Sequence, residues 1–430
     1  MGRTRASYAY WFWRAGFAAA AIQILLFIAA GATPVYAGTG LHDPAFSQVP
    51  FDQWRLDGNQ SLIPWSVEVL PPELSSHQRL LVAVKIQVDG RKLTKHHLKD
   101  HLVALVQFEE ADGTVWQTHS SLTREPGGEF NFTQNAFVLP GDYVLSVAVS
   151  DSTGLQHSFF LKKLQVPPLK HETLDHLWDG LPRVDFLAAH PDSPDGWFLP
   201  EIESRLRLPV QTQHTVHIDL LLNTTPGEYR PSDPVAGLRR NMSFLIPALK
   251  VISQLELRNG TMDVAFLDLA RQQAVSVANW GEMKGFFSRT NPGIIDVKAL
   301  DGQWTMRNFF LKQIAQRMET PREAEHVVIV LSGPAFFDGQ EPAVPIALRQ
   351  YPALRVFYIR CREIPRSMLE PRPRPRPGAR PIPRLRAAFA LPLDDLELPL
   401  NTPGVRIYDV LSAEQFRRVL AAVIGQISQL

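Results

Sequence analysis

Thiols are almost missing from this chain of 430 residues, which has one cysteine, Cys361. No intrachain disulfide can form, so stability must come from burial even in an oxidising compartment. An excess of one charge is missing as well. Lys and Arg number 44 against 43 Asp and Glu, and without Arg3, Arg5 and Arg14 the balance is 41 to 43, a net −2. That near-neutrality argues against a general nucleic-acid binder. There is no G-x-S-x-G elbow, no phosphate-cradling glycine loop and no dinucleotide fingerprint, so the local signatures of several common enzyme classes are absent. Metal-motif spacing is absent too. His96, His97 and His101 (KHHLKDH) have no third carboxylate or thiolate at a zinc spacing. His171, Glu172 and His176 read HExxxH, one residue too long to put both imidazoles on one helical face.

What is present begins with an address. Arg3, Arg5 and Arg14 precede an uncharged stretch from Ala15 to Ala32, and Val35-Tyr36-Ala37 offers small residues where a signal peptidase reads. Residues 1–37 are therefore expected to be a signal peptide of an exported, periplasmic or secreted protein. The alternative is an uncleaved membrane anchor, since the apolar stretch is about long enough to span a bilayer. No cysteine lies near the cleavage site, which argues against acylation as a lipoprotein.

Residues 51–167 read as all-β, an immunoglobulin-like β-sandwich. The predicted strands are Trp65–Leu70, Arg79–Val88, His101–Glu110, Thr114–Ser120, Glu129–Val138, Tyr143–Ser150 and Ser158–Val166. Val82, Val84, Ile86 and Val88 alternate with Ala83, Lys85 and Gln87, the pattern of a strand with one face inward. Asp89-Gly90, Asp112-Gly113, Gly127-Gly128 and Pro140-Gly141 punctuate the runs at sandwich spacing. A proline-rich linker carrying Trp178 and Trp197 follows over residues 168–210.

From residue 211 to 430 strands alternate with helices, which predicts a doubly wound α/β sheet with one antiparallel hairpin strand. The run TVHIDLLLNTTPG from Thr215 to Gly227 organises it, and His326–Gly333 (HVVIVLSG) has the same form. Both runs are too continuously apolar for a one-faced strand and suit parallel strands covered on both sides. Helices are expected at Val235–Leu257, Gly281–Phe287, Thr305–Met318, Pro342–Gln350 and Ala413–Leu430, the last capped by Ser412 with Gln415 in the box position. Strands are expected at Met262–Leu269, Ala274–Ala278, Val327–Leu331, Leu354–Arg360 and Val405–Val410. Ligands of open sheets gather beyond the carboxyl ends of the strands, where Asn223, Thr224, Thr225, Ser332 and Gly333 would stand.

One strand, a hydroxyl-rich turn, a helix, a β-hairpin and then helix–strand repeats resemble the von Willebrand factor type A domain. The chain is similar to the divergent exported bacterial group related to that domain, whose members also carry β-sandwich segments. The run from Pro140 to Asp151 (PGDYVLSVAVSD) looks like a sandwich strand of such proteins. The resemblance implies a metal-ion-dependent adhesion site of Asp-x-Ser-x-Ser form, but its positions here are Asn223, Thr225 and Gly227. The family's threonine matches Thr305, and its later Asp matches Gly333. With an amide for the first carboxylate and a glycine for the second, the site is expected to be degenerate, because magnesium is bound through carboxylates. Asp233, Asp301 or Asp338 could restore it, whereas Asp219 lies within the strand and is better explained by a hydrogen-bonded partner. No cofactor and no metal are expected.

Residues 371–386 (PRPRPRPGARPIPRLR) lie in an insertion at about 361–395 and alternate proline with arginine, so they cannot form a helix and should extend. Arg372, Arg374, Arg376, Arg380 and Arg384 would give this arm affinity for an acidic partner or a membrane surface; a solvated insertion with no partner fits the composition equally. The expected function is non-enzymatic protein interaction or scaffolding. Its alternatives are a hydrolase with a non-local Ser/His/Asp site, which sequence order would not reveal, or a metal-dependent adhesion module with non-standard ligands.

Overall fold

Alternation of apolar and polar residues in Leu80–Val88 puts Leu80, Val82, Val84, Ile86 and Val88 into one core and leaves the intervening residues less covered. The computed structural model describes residues 42–95, 101–123, 130–151, 156–187, 204–224, 234–269, 271–278, 282, 303–319, 324–335, 355–361, 394, 396–400 and 403–430. It is a mixture of α and β in which sheets predominate. Two antiparallel sheets form a β-sandwich. One runs β1 (Gln60–Ser61), β9 (His157–Val166), β8 (Gly141–Asp151), β5 (His101–Glu110) and β6 (Val115–Thr123). The other runs β10 (Val184–Leu187), β7 (Phe130–Val138), β4 (Leu80–Val88) and β2 (Trp65–Val69), with β3 (Glu73–Leu74) on β4. The stretch expected to be a linker thus contributes β10, paired with β7 from Val184↔Val138 to Leu187↔Asn135.

The first sheet is covered on both faces. Its inner face joins the sandwich core, and Phe46, Phe51 and Trp54 pack its outer face against Leu105, Ala148 and Phe159. These aromatics come from a 3-10 turn, Pro44–Gln48, and helix α1, Phe51–Asp57. Trp54 stacks on His157 at 4.2 Å. That cover is why β8 is buried almost throughout instead of alternating. Helix α2 (Gly90–Lys95) follows β4.

The third sheet has the order β15 (Gln273–Val277), β14 (Gly260–Asp268), β12 (Val216–Asn223), β16 (Glu325–Ser332), β17 (Arg355–Cys361) and β18 (Val405–Val410). Every pairing is parallel except β14 with β15. All eight residues of β12 are buried because helices cover both faces. Helices α3 (Pro234–Ile252) and α6 (Ala413–Ile427) pack on Ile218, Leu220 and Leu222. Helix α4 (Gln303–Glu319) and the short α5 (Glu397–Leu400) pack on the side of Leu221, Val328 and Val330. The helix expected to reach Leu257 ends at Ile252, because Leu255–Leu257 (β13) leaves it to pair in parallel with β11, Leu208–Val210. Helices expected at 281–287 and 342–350 fall almost wholly outside the described residues. No helix among the described residues is long and apolar enough to cross a membrane, and residues 15–32 lie outside them.

Among the described residues, sandwich and α/β domain belong to one compact body. Their joint is polar, with Arg417 and Gln78 buried and Glu172 at the surface. Arg417 of α6 donates through Nε to Glu172 Oε1 (2.8 Å) and through Nη2 to Oε2 (2.5 Å), and it lies 4.9 Å from the Trp178 ring centre. Gln78, held in the left-handed region at φ 61°, turns its carbonyl to Trp178 Nε1 (2.8 Å) and its side-chain amide to the Ala413 carbonyl (3.1 Å). A non-glycine residue in that conformation is strained, and here the surrounding bonds hold it in place.

Candidate functional site

At the carboxyl edge of the third sheet the chain direction of β12 and β16 brings Asn223 beside Ser332. Asn223 Nδ2 donates to Ser332 Oγ at 3.0 Å, and that hydroxyl donates to the Gly333 carbonyl at 2.6 Å. Thr224 donates through its backbone N–H and its hydroxyl to the Leu267 carbonyl. Next to them Tyr358 of β17 donates to Asp394 Oδ2 at 2.7 Å, and the Leu396 N–H caps Oδ1. Arg360 completes the cluster, meeting Asp409 with two bonds of 2.7 and 2.8 Å and Glu397 at 2.8 Å. Burial raises the Asp394 carboxyl above its ordinary range despite those hydrogen bonds. Burial, then the Asp394 charge, raises the Tyr358 hydroxyl as well. Burial alone would lower the Arg360 guanidinium, but its bonds to Asp409 and Glu397 outweigh that and raise it. Cys361 is buried and its thiol is pushed up, which makes it a poor nucleophile.

The amino edge of the same sheet carries a second cluster, on the face covered by α4. Register places His217 of β12 between Thr261 of β14 and His326 of β16, with Asp219 opposite Asp263 one step further along. His217 Nδ1 lies 2.7 Å from Thr261 Oγ1, and its Nε2 faces Asp263 Oδ2 at 3.4 Å and Asp219 Oδ2 at 3.6 Å. His326 Nε2 lies 2.6 Å from that Asp219 oxygen, while Arg317 Nε of α4 approaches the other oxygen at 3.7 Å. One ligand atom from each of His217, Asp219 and His326 falls within 4.8 Å of the others. Two imidazoles and a carboxylate are a donor set able to hold a divalent transition metal.

The structure therefore brings Asn223, Thr224 and Ser332 together as the sequence suggests, but as bonded partners of one another and of the backbone. Thr305 falls in the first turn of α4, and Thr225, Asp233, Asp301, Asp338, Arg372, Arg374, Arg376, Arg380 and Arg384 lie outside the described residues. His96 and His97 lie outside them too. His171, Glu172 and His176 lie in irregular backbone, not a helix; His176 Nδ1 meets Asp179 and Glu172 meets Arg417. Asp219 has the bonded partner expected of it. What sequence reasoning missed is that the partner is a histidine of the next strand, His326, which stands opposite His217. The available signal was polar residues interrupting two apolar runs near their starts, in VHID and EHVV.

No family model matches the chain. No curated protein matches it either. Solved structures similar to part of it include the chicken interferon gamma receptor alpha chain, at 13% identity over 24% of this chain and 51% of that one, with a TM-score of 0.17. Another is a structural-genomics target, SoR45, at 15% identity over 26% of this chain and 95% of that one, also with a TM-score of 0.17. The match thus spans about half the length of the receptor chain.

Proposed function

We propose that this chain is an exported, non-enzymatic interaction or scaffolding protein that presents an immunoglobulin-like sandwich and a von Willebrand factor A-like domain in a fixed relation. The joint made by Arg417, Glu172, Gln78 and Trp178 carries this reading. A partner touching both domains loses less freedom on binding a preorganised pair than a flexible one. The strand order of the third sheet, with one antiparallel hairpin strand, supports the von Willebrand factor A-like reading. Tyr143 at the start of β8 donates back to the Leu139 carbonyl at 2.9 Å, a bond that supports the immunoglobulin-like one.

Two details favour binding over catalysis at the carboxyl edge. A serine nucleophile needs a base to take its proton, and Ser332 gives its proton to a backbone carbonyl. Asn223 supplies an amide where an adhesion site would supply charge, and that amide donates to Ser332. The Pro/Arg arm at 371–386 would add contacts to an acidic protein or membrane surface.

A crosslinking pull-down from the envelope fraction tests the proposal, using the wild type, a deletion of residues 371–386 and Glu172→Ala. A partner retained by the wild type and depleted in both variants is expected. Absence of any specific partner, or a hydrolytic activity lost in Ser332→Ala, overturns it.

A further inference from the structure

At the amino edge of the third sheet β12 and β16 bring two imidazoles and a carboxylate within 4.8 Å of one another, with Asp263 of β14 facing His217 at 3.4 Å. We infer that His217, Asp219 and His326, joined by Asp263, form a zinc site that ties the starts of β12, β14 and β16 together. The donors are borderline and hard, two imidazoles and two carboxylates, and that set suits Zn²⁺ in four-coordination.

The distances carry the assignment. With metal–ligand bonds of about 2.0–2.1 Å, neighbouring donors of a tetrahedral zinc site stand about 3.3 Å apart. His217 Nε2 stands 3.4 Å from Asp263 Oδ2 and 3.6 Å from Asp219 Oδ2. Those separations are long for hydrogen bonds, and 3.6 Å is outside the range altogether. They are close to the edges of a coordination tetrahedron. On taking up the ion His326 Nε2 and Asp219 Oδ2, now at 2.6 Å, would separate by about 0.7 Å, and Asp263, which is not among the three residues with ligand atoms within 4.8 Å of one another, would turn its exposed carboxylate inward as the fourth ligand.

Surrounding groups orient the donors. Thr261 Oγ1 engages Nδ1 of His217, which leaves Nε2 to face the carboxylates, the arrangement by which an outer partner fixes a metal-binding imidazole. Arg317 approaches Asp219 through Oδ1 and leaves Oδ2 to the imidazoles. The side chains of His217, Asp219 and His326 are 7%, 6% and 12% exposed, so water competes poorly, while Asp263 at 66% opens a route for the ion. Two carboxylates and two neutral imidazoles balance the charge of a divalent cation. The competing occupant is a proton on the imidazoles, which would hold the same groups as an ion-paired network.

The full chain is stripped with a chelator, and zinc uptake is followed by calorimetry and by elemental analysis after dialysis, with Co²⁺ as the spectroscopic probe. One zinc per chain, a raised melting temperature and the intense visible bands of four-coordinate cobalt are expected. Asp263→Asn, at an exposed position that leaves the core intact, should weaken zinc binding about tenfold. His326→Gln should lose it, and His96→Gln with His97→Gln should keep it. Failure of the stripped chain to take up zinc, or uptake unchanged in Asp263→Asn, overturns the assignment and leaves the proton-held network. If His326→Gln does not fold, Asp263→Asn still decides.

Discussion

Glu172 and Arg417 form an asymmetric pair, and the asymmetry can be measured. The Arg417 side chain is 3% exposed and that of Glu172 is 32% exposed. Removing the carboxylate strands a buried cation, whereas removing the cation leaves a carboxylate that water can reach. Glu172→Ala should therefore cost about 3 kcal/mol in urea denaturation and Arg417→Met closer to 1 kcal/mol. His77 offers a pH signature. Burial foremost, then the charges of Lys250 and Arg79, lowers its pKa from 6.5 to about 3. The unfolded chain then binds the proton more tightly, so the contribution is complete above pH 6.5 and is lost as pH falls toward 3. Between pH 7.5 and 5 the loss should be about 2 kcal/mol. Unfolding curves of His77→Leu should lack that part of the slope.

At the level of elements, Gly260 fixes the close approach of β14 to the start of β12. A Cβ there would collide with the Val216 carbonyl oxygen, a backbone atom that cannot swing aside. Gly260→Ala should destabilise by about 2 kcal/mol through overpacking. Its amide exchange should rise first in β12 and β14, where the register begins at Val216↔Gly260. The closing helix shows how far local signals reach. Ser412 caps α6 as its position predicts, accepting from the Gln415 N–H at 3.3 Å. Gln415 reaches back one residue further than the box requires, to the Leu411 N–H at 2.6 Å. Of the stripe expected at Phe416, Val419, Leu420, Val423, Ile424 and Ile427, all but Ile424 are buried, Ile424 is partly so, and Arg417 joins them through its bonds to Glu172 and Gln78.

The whole molecule should unfold as one body. Leu177 and Leu181 lie in the α/β core, while Trp178 between them contacts both that core and the sandwich core. Calorimetry of the wild type should show a single transition. Glu172→Ala should separate it into two, since loss of the joint uncouples domains that each retain a core. A single transition in that variant would mean that the apolar contacts alone couple them.

Strand and helix positions were legible because they depend on neighbours in the chain. The alternation of Leu80–Val88, the continuous apolar run of Val216–Asn223 and the stripe of α6 all express which faces must leave water. The grouping of Asn223, Thr224 and Ser332 was legible as an edge, since parallel strands end together. Their mutual bonds were not, because Asn223 and Ser332 are 109 positions apart and meet only through the pairing of β12 with β16. The same holds for His326 and Asp219, 107 apart, and for Arg417 and Glu172, 245 apart. Sequence alone determined where apolar faces form; only the tertiary structure decided which buried charges share a neighbour. Hydrophobic burial is written locally as a period, but the compensation of a buried charge depends on what lies across the space that burial creates.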